Sequence, residues 1–260
     1  KHHFEEGEVI SADKIKENVI MVVQEQERHE YKYDCEYLVV GDNIGIAKTR
    51  EIIYHHAGKT NYGMIDDDIK FFRRNKKYFH NQKSNMDKSK RQMILKDWNC
   101  LFLEIEKMFN ESDIMHIGHR DTSIPPIEIE YSTNKMFLGV HWLDGKKLSK
   151  FINDVDWTYV KTGEDSLLAL ECSMRGYKNI VLNEFIMDRW STAFDGGGCS
   201  DFRTSKSDEE EHLKLAKKYP YVQITNKYQD IKHIGRLRVF KTDIRSAYKS
   251  SQVGTLKEFL

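Results

Sequence analysis

The feature that most limits how this chain can fold is a short apolar segment that runs straight into three consecutive carboxylates. Residues 61–65 read as the end of a buried strand, and Asp66, Asp67 and Asp68 follow directly. In an open α/β sheet, ligands bind at the carboxyl ends of the strands. Three adjacent acids are costly to desolvate, so we expect a cation among them. A divalent metal that carries a diphosphate meets this need, since Mg2+ and Mn2+ prefer carboxylate and phosphate oxygens. The alternative is an acidic loop that merely solvates a turn.

The order of the apolar segments predicts an α/β fold. Predicted strands cover residues 18–23, 37–40 and 61–65, and a helix over residues 45–53 precedes the third strand and stops at Gly58. Strands and a helix joined by short connections favour a mostly parallel, Rossmann-like sheet flanked by helices. The later predicted elements are a helix at 93–110, strands at 114–120, 136–142 and 180–182, a helix that opens at Glu164, a helix at 207–218 and a strand at 234–240.

Composition restricts the class of protein. The chain has 260 residues, of which 39% are hydrophobic and 32% charged, enough for one large or two small domains with a real core. It contains neither a run of about 18 apolar residues nor a signal-peptide pattern, so we expect no membrane partner. The four cysteines are widely spaced, as in reduced cytoplasmic proteins. These observations predict a cytoplasmic protein and leave its oligomeric state open.

Two segments are strongly basic although the formal net charge is zero. Residues 70–96 hold ten bases against one acid, with aromatic residues among the first of them, and residues 227–249 hold seven bases against two acids. Bases mixed with aromatics can hold a nucleic-acid backbone and stack on a base. A solvated loop with its aromatics turned into the core is the other interpretation. The bases nearest the aromatics are Arg73, Arg74, Lys76 and Lys77.

Three further segments carry groups suited to a binding site. Glu164 and Asp165 open a helix, where the dipole favours acids in any case, but a carboxylate there can also deprotonate a hydroxyl nucleophile. His141 and Trp142 end a predicted strand and form either the floor of a sugar or base pocket or ordinary core. The glycine-rich residues 195–203 either cradle phosphate with backbone N–H groups or form a surface loop.

Together these motifs resemble those of GT-A glycosyltransferases. A helix contains Arg50, a strand leads into Asp66-Asp67-Asp68 as a DxD motif, and Gly163-Glu164-Asp165 stands as the ED motif. The resemblance runs over residues 19–222. More narrowly, residues 22–27, 47–50 and 196–203 are similar to phage glycosyltransferases associated with TET-like dioxygenases, which add sugars to 5-hydroxymethylpyrimidines in DNA.

The resemblance implies roles for individual residues. It implies Asp68 as the chief ligand of Mn2+ or Mg2+ with Asp66 assisting, and Asp165 as the catalytic base with Glu164 as the competing candidate. A nucleotide-sugar donor, a UDP-sugar in this family, would contact Arg50, Asp66, Asp67, Gly196, Gly197, Gly198 and Arg203.

We therefore expect a GT-A-like domain over residues 1–222, followed by a basic extension over 223–260 that packs on it. The nucleotide-binding strand that usually begins a GT-A fold is not found before residue 18, which leaves the base pocket open. The expected reaction moves a sugar to a hydroxyl, with 5-hydroxymethylcytosine or another hydroxymethylpyrimidine in DNA as acceptor and the segment of Arg73, Arg74, Lys76 and Lys77 as the DNA contact. A polysaccharide or small-molecule acceptor, and a non-catalytic DNA-binding module, are the alternatives.

Overall fold

The computed structural model describes residues 18–75, 90–111, 113–127, 129–189, 204–231 and 235–257. The strands in these ranges are β1 (Ile20–Gln24), β2 (Glu36–Val40), β3 (Tyr62–Ile65), β4 (Ile69–Arg74), β5 (Lys90–Gln92), β6 (Ile114–Asp121), β7 (Tyr131–Thr133), β8 (Val140–Leu143), β9 (Lys178–Arg189), β10 (Val222–Ile231) and β11 (Gly235–Thr242). The α-helices are α1 (Ile46–Ala57), α2 (Leu95–Phe109), α3 (Gly145–Leu148), α4 (Glu164–Met174), α5 (Ser205–Lys218) and α6 (Ile244–Lys257). Short 3-10 helices cover Glu25–Glu30 and Ile152–Asp154.

The central sheet has seven strands in the order β3-β8-β6-β9-β4-β5, with β7 paired to β9. Within it β6 and β9 pair in parallel, and the other described pairs are antiparallel. The α/β class is thus confirmed, but the expectation of a mostly parallel sheet is wrong. The two strands beside the acidic turn are not neighbours in the sheet. β3 pairs antiparallel with β8 and β4 pairs antiparallel with β9, both of which come much later in the sequence.

Two smaller sheets accompany the central one. β1 and β2 form a parallel pair, and β10 and β11 form an antiparallel hairpin with an irregularity between Ile224 and Tyr228. The strand expected at residues 234–240 is therefore present as β11. The helix expected at 207–218 is also present, and it begins two residues earlier because the Thr204 hydroxyl accepts a hydrogen bond from the backbone N–H of Ser207.

The core is formed by two clusters of buried apolar side chains. One lies under α2 and includes Leu101 and Ile105 of that helix with Ile117 and Ile180 of the sheet. The other surrounds α4, whose residues 165–173 are all buried. Ile244 and Ala247 of α6 belong to this second cluster, so the C-terminal segment packs on the same body as the sheet. Among the described residues, no helix combines the length and apolar character needed to cross a membrane.

Candidate active site around a buried arginine

Arg50 lies at the centre of a group of carboxylates that come from distant parts of the sequence. It projects from α1 and is only 4% exposed. Its guanidinium is 3.3 Å from Asp66 Oδ1 and 3.2 Å from Glu164 Oε1, and it donates a hydrogen bond to Asp165 Oδ1. We expected a positive charge beside the acids of residues 66–68. For Asp66, Arg50 of the chain itself supplies that charge. Four sequence-predicted site residues meet at this point.

Local structure positions all three of the carboxylates around Arg50. The backbone N–H of Asp66 donates to Gly139 O at 3.1 Å, which extends the pairing of β3 with β8 by one residue. Gly163 precedes α4 with a φ of 85°, in the left-handed region that favours glycine, and Glu164 is the first helical residue. This turn places Glu164 and Asp165 at the helix N-terminus, where the dipole favours negative charge.

Asp165 is held from a second side by a buried pair of histidines. His141 Nε2 is 2.8 Å from Asp165 Oδ1, and His116 Nε2 is 2.9 Å from His141 Nδ1. Burial and the nearby Arg50 charge lower the pKa of His116 to about 3 and hold the pKa of His141 well below its usual value. Both imidazoles are therefore neutral near pH 7.

The neutral rings admit a consistent set of tautomers. Because an ionised carboxylate only accepts hydrogen bonds, His141 must carry its proton on Nε2 and donate to Asp165. Its Nδ1 then accepts from His116 Nε2–H. This leaves His116 Nδ1 without a proton, and that atom is buried without a hydrogen-bond partner in the described part of the chain. The direction of the chain of hydrogen bonds is from His116 through His141 to Asp165.

Sequence reasoning missed His116 and left two interpretations open for His141 and Trp142. The sequence gives only a weak indication that His116 and His141 belong to a site, because a histidine on an apolar strand more often belongs to the core. Trp142, considered for a sugar or base pocket, donates from Nε1 to His119 Nε2 at 2.8 Å and is 7% exposed. Trp142 is therefore a core aromatic, whereas His141 reaches the carboxylates.

The pKa values of Asp66 and Asp68 are both raised, in each case chiefly by burial. The pKa of Asp66 is raised by burial, an effect that Arg50 opposes and that Glu164 and Asp68 reinforce. The pKa of Asp68 is raised by burial and by Asp67, although Arg189 acts the other way. A cation beside them would favour the ionised form of both carboxylates.

Asp66 and Asp68 carry the kind of ligand atoms that a hard divalent cation prefers. No group of three or more histidine, cysteine, aspartate or glutamate side chains suited to a metal occurs in the described ranges. Mg2+ is commonly bound through one or two carboxylates together with phosphate oxygens of the substrate and water. The carboxylates of Asp66 and Asp68 are of the right chemistry for that mode.

Comparisons with protein-family models, curated proteins and solved structures found no match to this chain. What the site does must therefore be argued from its own geometry.

The remaining predicted residues lie elsewhere or outside the described residues. Arg73 donates hydrogen bonds to Asp97 Oδ1 at 2.8 Å and to Glu184 Oε1 at 2.6 Å, and Arg74 is 4% exposed. Neither therefore offers a free surface charge to a nucleic-acid backbone. Predicted positions that fall outside the described residues are Lys76, Lys77, Gly196, Gly197, Gly198 and Arg203.

Proposed function

We propose that the chain is a metal-dependent glycosyltransferase that moves a sugar from a nucleotide-sugar donor to a hydroxyl group. The convergence of Arg50, Asp66, Glu164 and Asp165 is the observation that supports this proposal most directly. These residues belong to the three segments on which the resemblance to GT-A glycosyltransferases rests. If the three aspartates only formed a solvated surface turn, no buried arginine would be needed to join Asp66 to Glu164 and Asp165.

Asp66 and Asp68 would hold the divalent cation together with the donor diphosphate. Bound there, Mn2+ or Mg2+ supplies Lewis-acid neutralisation of the leaving diphosphate without a proton transfer. Arg50 keeps the Asp66 carboxylate in place through its Nη2 atom, at 3.3 Å from Asp66 Oδ1. Asp67 remains a proposed donor contact.

Asp165 would accept the proton of the acceptor hydroxyl in an inverting transfer. The hydroxyl oxygen forms the new bond to the anomeric carbon, the bond from that carbon to the diphosphate oxygen breaks, and the diphosphate leaves with the electron pair. A useful base must be ionised and correctly placed. Hydrogen bonds from Arg50 and His141 to Oδ1 favour the ionised form and fix its orientation. Glu164, whose described ion pair is with Arg50 alone, is the competing base.

The acceptor proposed first is a hydroxymethylpyrimidine in DNA. A hydroxymethyl group at that position of a paired base is accessible in the major groove. The second candidate is a polysaccharide or small-molecule acceptor. It is favoured by the placement of Arg73 in internal ion pairs and of Arg74 in a buried position.

The experiment that tests the function measures donor use and acceptor use separately. The protein is incubated with Mn2+ and a panel of nucleotide-sugars, with and without hydroxymethylated DNA. Release of nucleotide and the masses of the nucleosides are then measured. We expect donor consumption that requires the metal and Asp68. Transfer to a small acceptor without DNA would support the second candidate, and absence of any donor use would contradict both.

A further inference from the structure

Two buried histidines lie behind the carboxylate that is proposed as the catalytic base. His141 Nε2 is 2.8 Å from Asp165 Oδ1, and His116 Nε2 is 2.9 Å from His141 Nδ1. The two rings are 18° from parallel, with their centroids 5.1 Å apart. Both side chains are fully buried, so neither ring is accessible to a sugar, a nucleotide or an acceptor. An effect of these histidines on the reaction must therefore act through Asp165.

The packing around the two histidines keeps their rings in place. The Phe137 ring contacts both of them, at centroid distances of 4.5 Å from His116 and 5.5 Å from His141. Phe137 itself fills the space beside Gly118, because a Cβ at that glycine would lie 2.0 Å from the Cδ2 atom of the ring. A close-packed side chain has few alternative rotamers. The hydrogen bond between the two histidines is therefore a fixed feature of the core.

Two sets of tautomers are compatible with these distances, and they differ in the state of Asp165 that they allow. If both histidines carry the proton on Nε2, His116 donates to His141 and His141 donates to Asp165. If both carry it on Nδ1, His141 Nε2 and Asp165 Oδ1 are two acceptors 2.8 Å apart, which requires that the carboxyl group be protonated. The second set also leaves His116 with a buried N–H donor that has no partner in the described part of the chain. The first set is therefore the one that accompanies an ionised Asp165.

The other charged groups at this point leave one oxygen of Asp165 without a described contact. Arg50 of α1 donates to the same Oδ1 atom, and Glu164 pairs with that arginine. The described hydrogen bonds and ion pairs of Asp165 all end on Oδ1, whether they come from Arg50 or from His141. Oδ2 is thus the oxygen that can receive a proton from outside the cluster.

We propose that His116 and His141 are positioning residues that hold Asp165 by Oδ1 and leave Oδ2 to accept the proton of the acceptor hydroxyl. The proposal rests on the proposed transferase function. The nitrogen of His141 that faces Asp165 already bears a proton, so the histidines cannot take up the proton that the acceptor loses. As the acceptor oxygen bonds to the anomeric carbon and the diphosphate departs with its electron pair, the proton binds to Oδ2. It is released from Oδ2 to water after the transfer.

The first test determines the tautomers directly and needs neither a donor nor a metal. The chain contains 11 histidines, and nitrogen-15 labelling of histidine with proton–nitrogen correlation spectra distinguishes Nε2–H from Nδ1–H in each ring. Spectra of His116→Gln and His141→Gln assign the signals of the two rings. We expect Nε2–H on both rings at pH 7. A parent chain in which His141 carries its proton on Nδ1 would overturn the proposal.

The second test removes the hydrogen bonds one at a time. His141→Leu deletes the donor to Asp165, whereas His141→Gln keeps an N–H donor, and the same two changes are made at His116. His119→Leu is the matched control, because His119 is an equally buried histidine of β6 whose nitrogens contact Trp142 and a backbone carbonyl instead. Thermal unfolding checks that each variant folds. Transfer is measured with Mn2+, a panel of nucleotide-sugars and hydroxymethylated DNA.

We expect His141→Leu to lower kcat at least about tenfold while the KM for the donor changes less than about twofold, because a misplaced base loses its alignment and the donor site is untouched. His116→Leu should lower kcat in the same direction by about threefold or more, since His141 then lacks its own hydrogen-bond donor. The two Gln variants should recover most of the lost kcat. His119→Leu should lower the Tm and leave kcat as it is.

The outcomes separate this proposal from the proposed function. A folded His141→Leu or His116→Leu with the kcat of the parent would overturn the role of that histidine. Equal losses of kcat in His119→Leu, without recovery in the Gln variants, would show general damage to the core and overturn the proposal as well. If a Leu variant does not fold, the tautomers of the parent and the Gln variants give the decision. A parent that uses no donor contradicts the proposed function, whereas the tautomer of His141 still decides how Asp165 is held.

Discussion

Arg50 is the residue on which the account depends most. One positive charge faces Asp66, Glu164 and Asp165, so the cluster is acidic even with the arginine present. A buried ion pair is weak evidence for net stability, because desolvation offsets much of the attraction. Removal of a single partner is a different matter, since it leaves the opposite charges buried without compensation. Arg50 is therefore expected to be required for folding as well as for the site.

The first prediction concerns Arg50→Met. We expect the free energy of unfolding to fall by about 3–5 kcal/mol, because three carboxylates lose their buried cation. Lys48→Met on the same helix is the control, since Lys48 is exposed and pairs with Glu51 only at the surface. That change should cost less than about 1 kcal/mol. Urea unfolding at pH 7 measures both, and equal effects of the two substitutions would contradict the central role of Arg50.

The second prediction separates the two acids that open α4. Asp165→Asn should lower turnover by roughly a hundredfold or more with little change in donor binding, because the base is lost while the shape is kept. Glu164→Gln should be milder, or should weaken donor or acceptor binding instead. Single-turnover kinetics and donor titration on each variant make the comparison. Near-parental turnover of the Asn variant, with product confirmed by mass, would exclude Asp165 as the base.

At the scale of elements, β6 and β8 carry a set of buried neutral histidines. His116 and His119 belong to β6 and His141 to β8, and all are at most 1% exposed. Burial lowers the pKa of His119 to about 4 and that of His116 to about 3, against an ordinary value of 6.5. The unfolded chain therefore binds more protons than the folded chain between these values. Stability is fully present above about pH 6.5 and is lost as the pH falls toward the folded pKa values.

The third prediction follows from that proton difference. In His119→Gln, the dependence of unfolding free energy on pH between 4 and 6.5 should decrease by up to about 1.4 kcal/mol per pH unit, because one buried titrating group is gone. His55→Gln, an exposed change on α1, is the control substitution. Denaturant titrations at several pH values measure the difference. An unchanged slope in His119→Gln would show that this histidine is protonated alike in both states.

The elements also show what can be predicted from a sequence. The apolar spacing around Leu101 and Ile105 correctly predicted α2 to within two residues at each end, because helix periodicity is local. The direction of the strands could not be predicted from local periodicity, because β4 pairs with β9, which lies more than a hundred residues later in the sequence. The strand expected from residue 136 begins at Val140, after Gly139 takes a φ of 80°.

The charged residues of the candidate site could be predicted from the sequence, but their contacts could not. The acids and Arg50 were found because charged residues at strand and helix ends are conspicuous in a sequence. Their contact with one another depends on tertiary packing, and the resemblance to a family was needed to expect it. His116 carried no comparable signal, because its role follows from the hydrogen bond to His141. The internal ion pairs of Arg73 were hidden within a segment that resembled an open basic surface.

At the scale of the whole molecule, the basic segment of residues 70–96 divides into two parts. Arg73 is held by Asp97 and Glu184 inside the protein, whereas Lys76 and Lys77 lie outside the described residues. If the charges of Arg73, Lys76 and Lys77 were reversed together, a loss of stability could not be distinguished from a loss of DNA binding. The two effects are separated by changing the internal arginine and the two lysines independently.

The fourth prediction applies that separation to DNA. Affinity for duplex DNA should fall steeply with salt, because each neutralised phosphate releases counterions. Reversal of Lys76 and Lys77 to Glu should weaken binding at least about tenfold and reduce the salt slope. Reversal of the exposed Lys107 and Lys217 is the control, and Arg73→Glu should chiefly reduce stability. A flat salt dependence, with no loss in the Lys76 and Lys77 variant, would remove DNA as the acceptor.

The proposed function requires that the carboxylates around Arg50 form a metal-dependent site for a nucleotide-sugar. Its most direct measurement is calorimetric binding of a panel of nucleotide-sugars with and without Mn2+, to the parent and to Asp68→Ala. We expect at least one donor to bind the parent only when Mn2+ is present, and the folded variant to lose this binding. Binding that is equally tight in the variant would contradict the metal assignment. Absence of metal-dependent binding for every donor would contradict the proposed function itself.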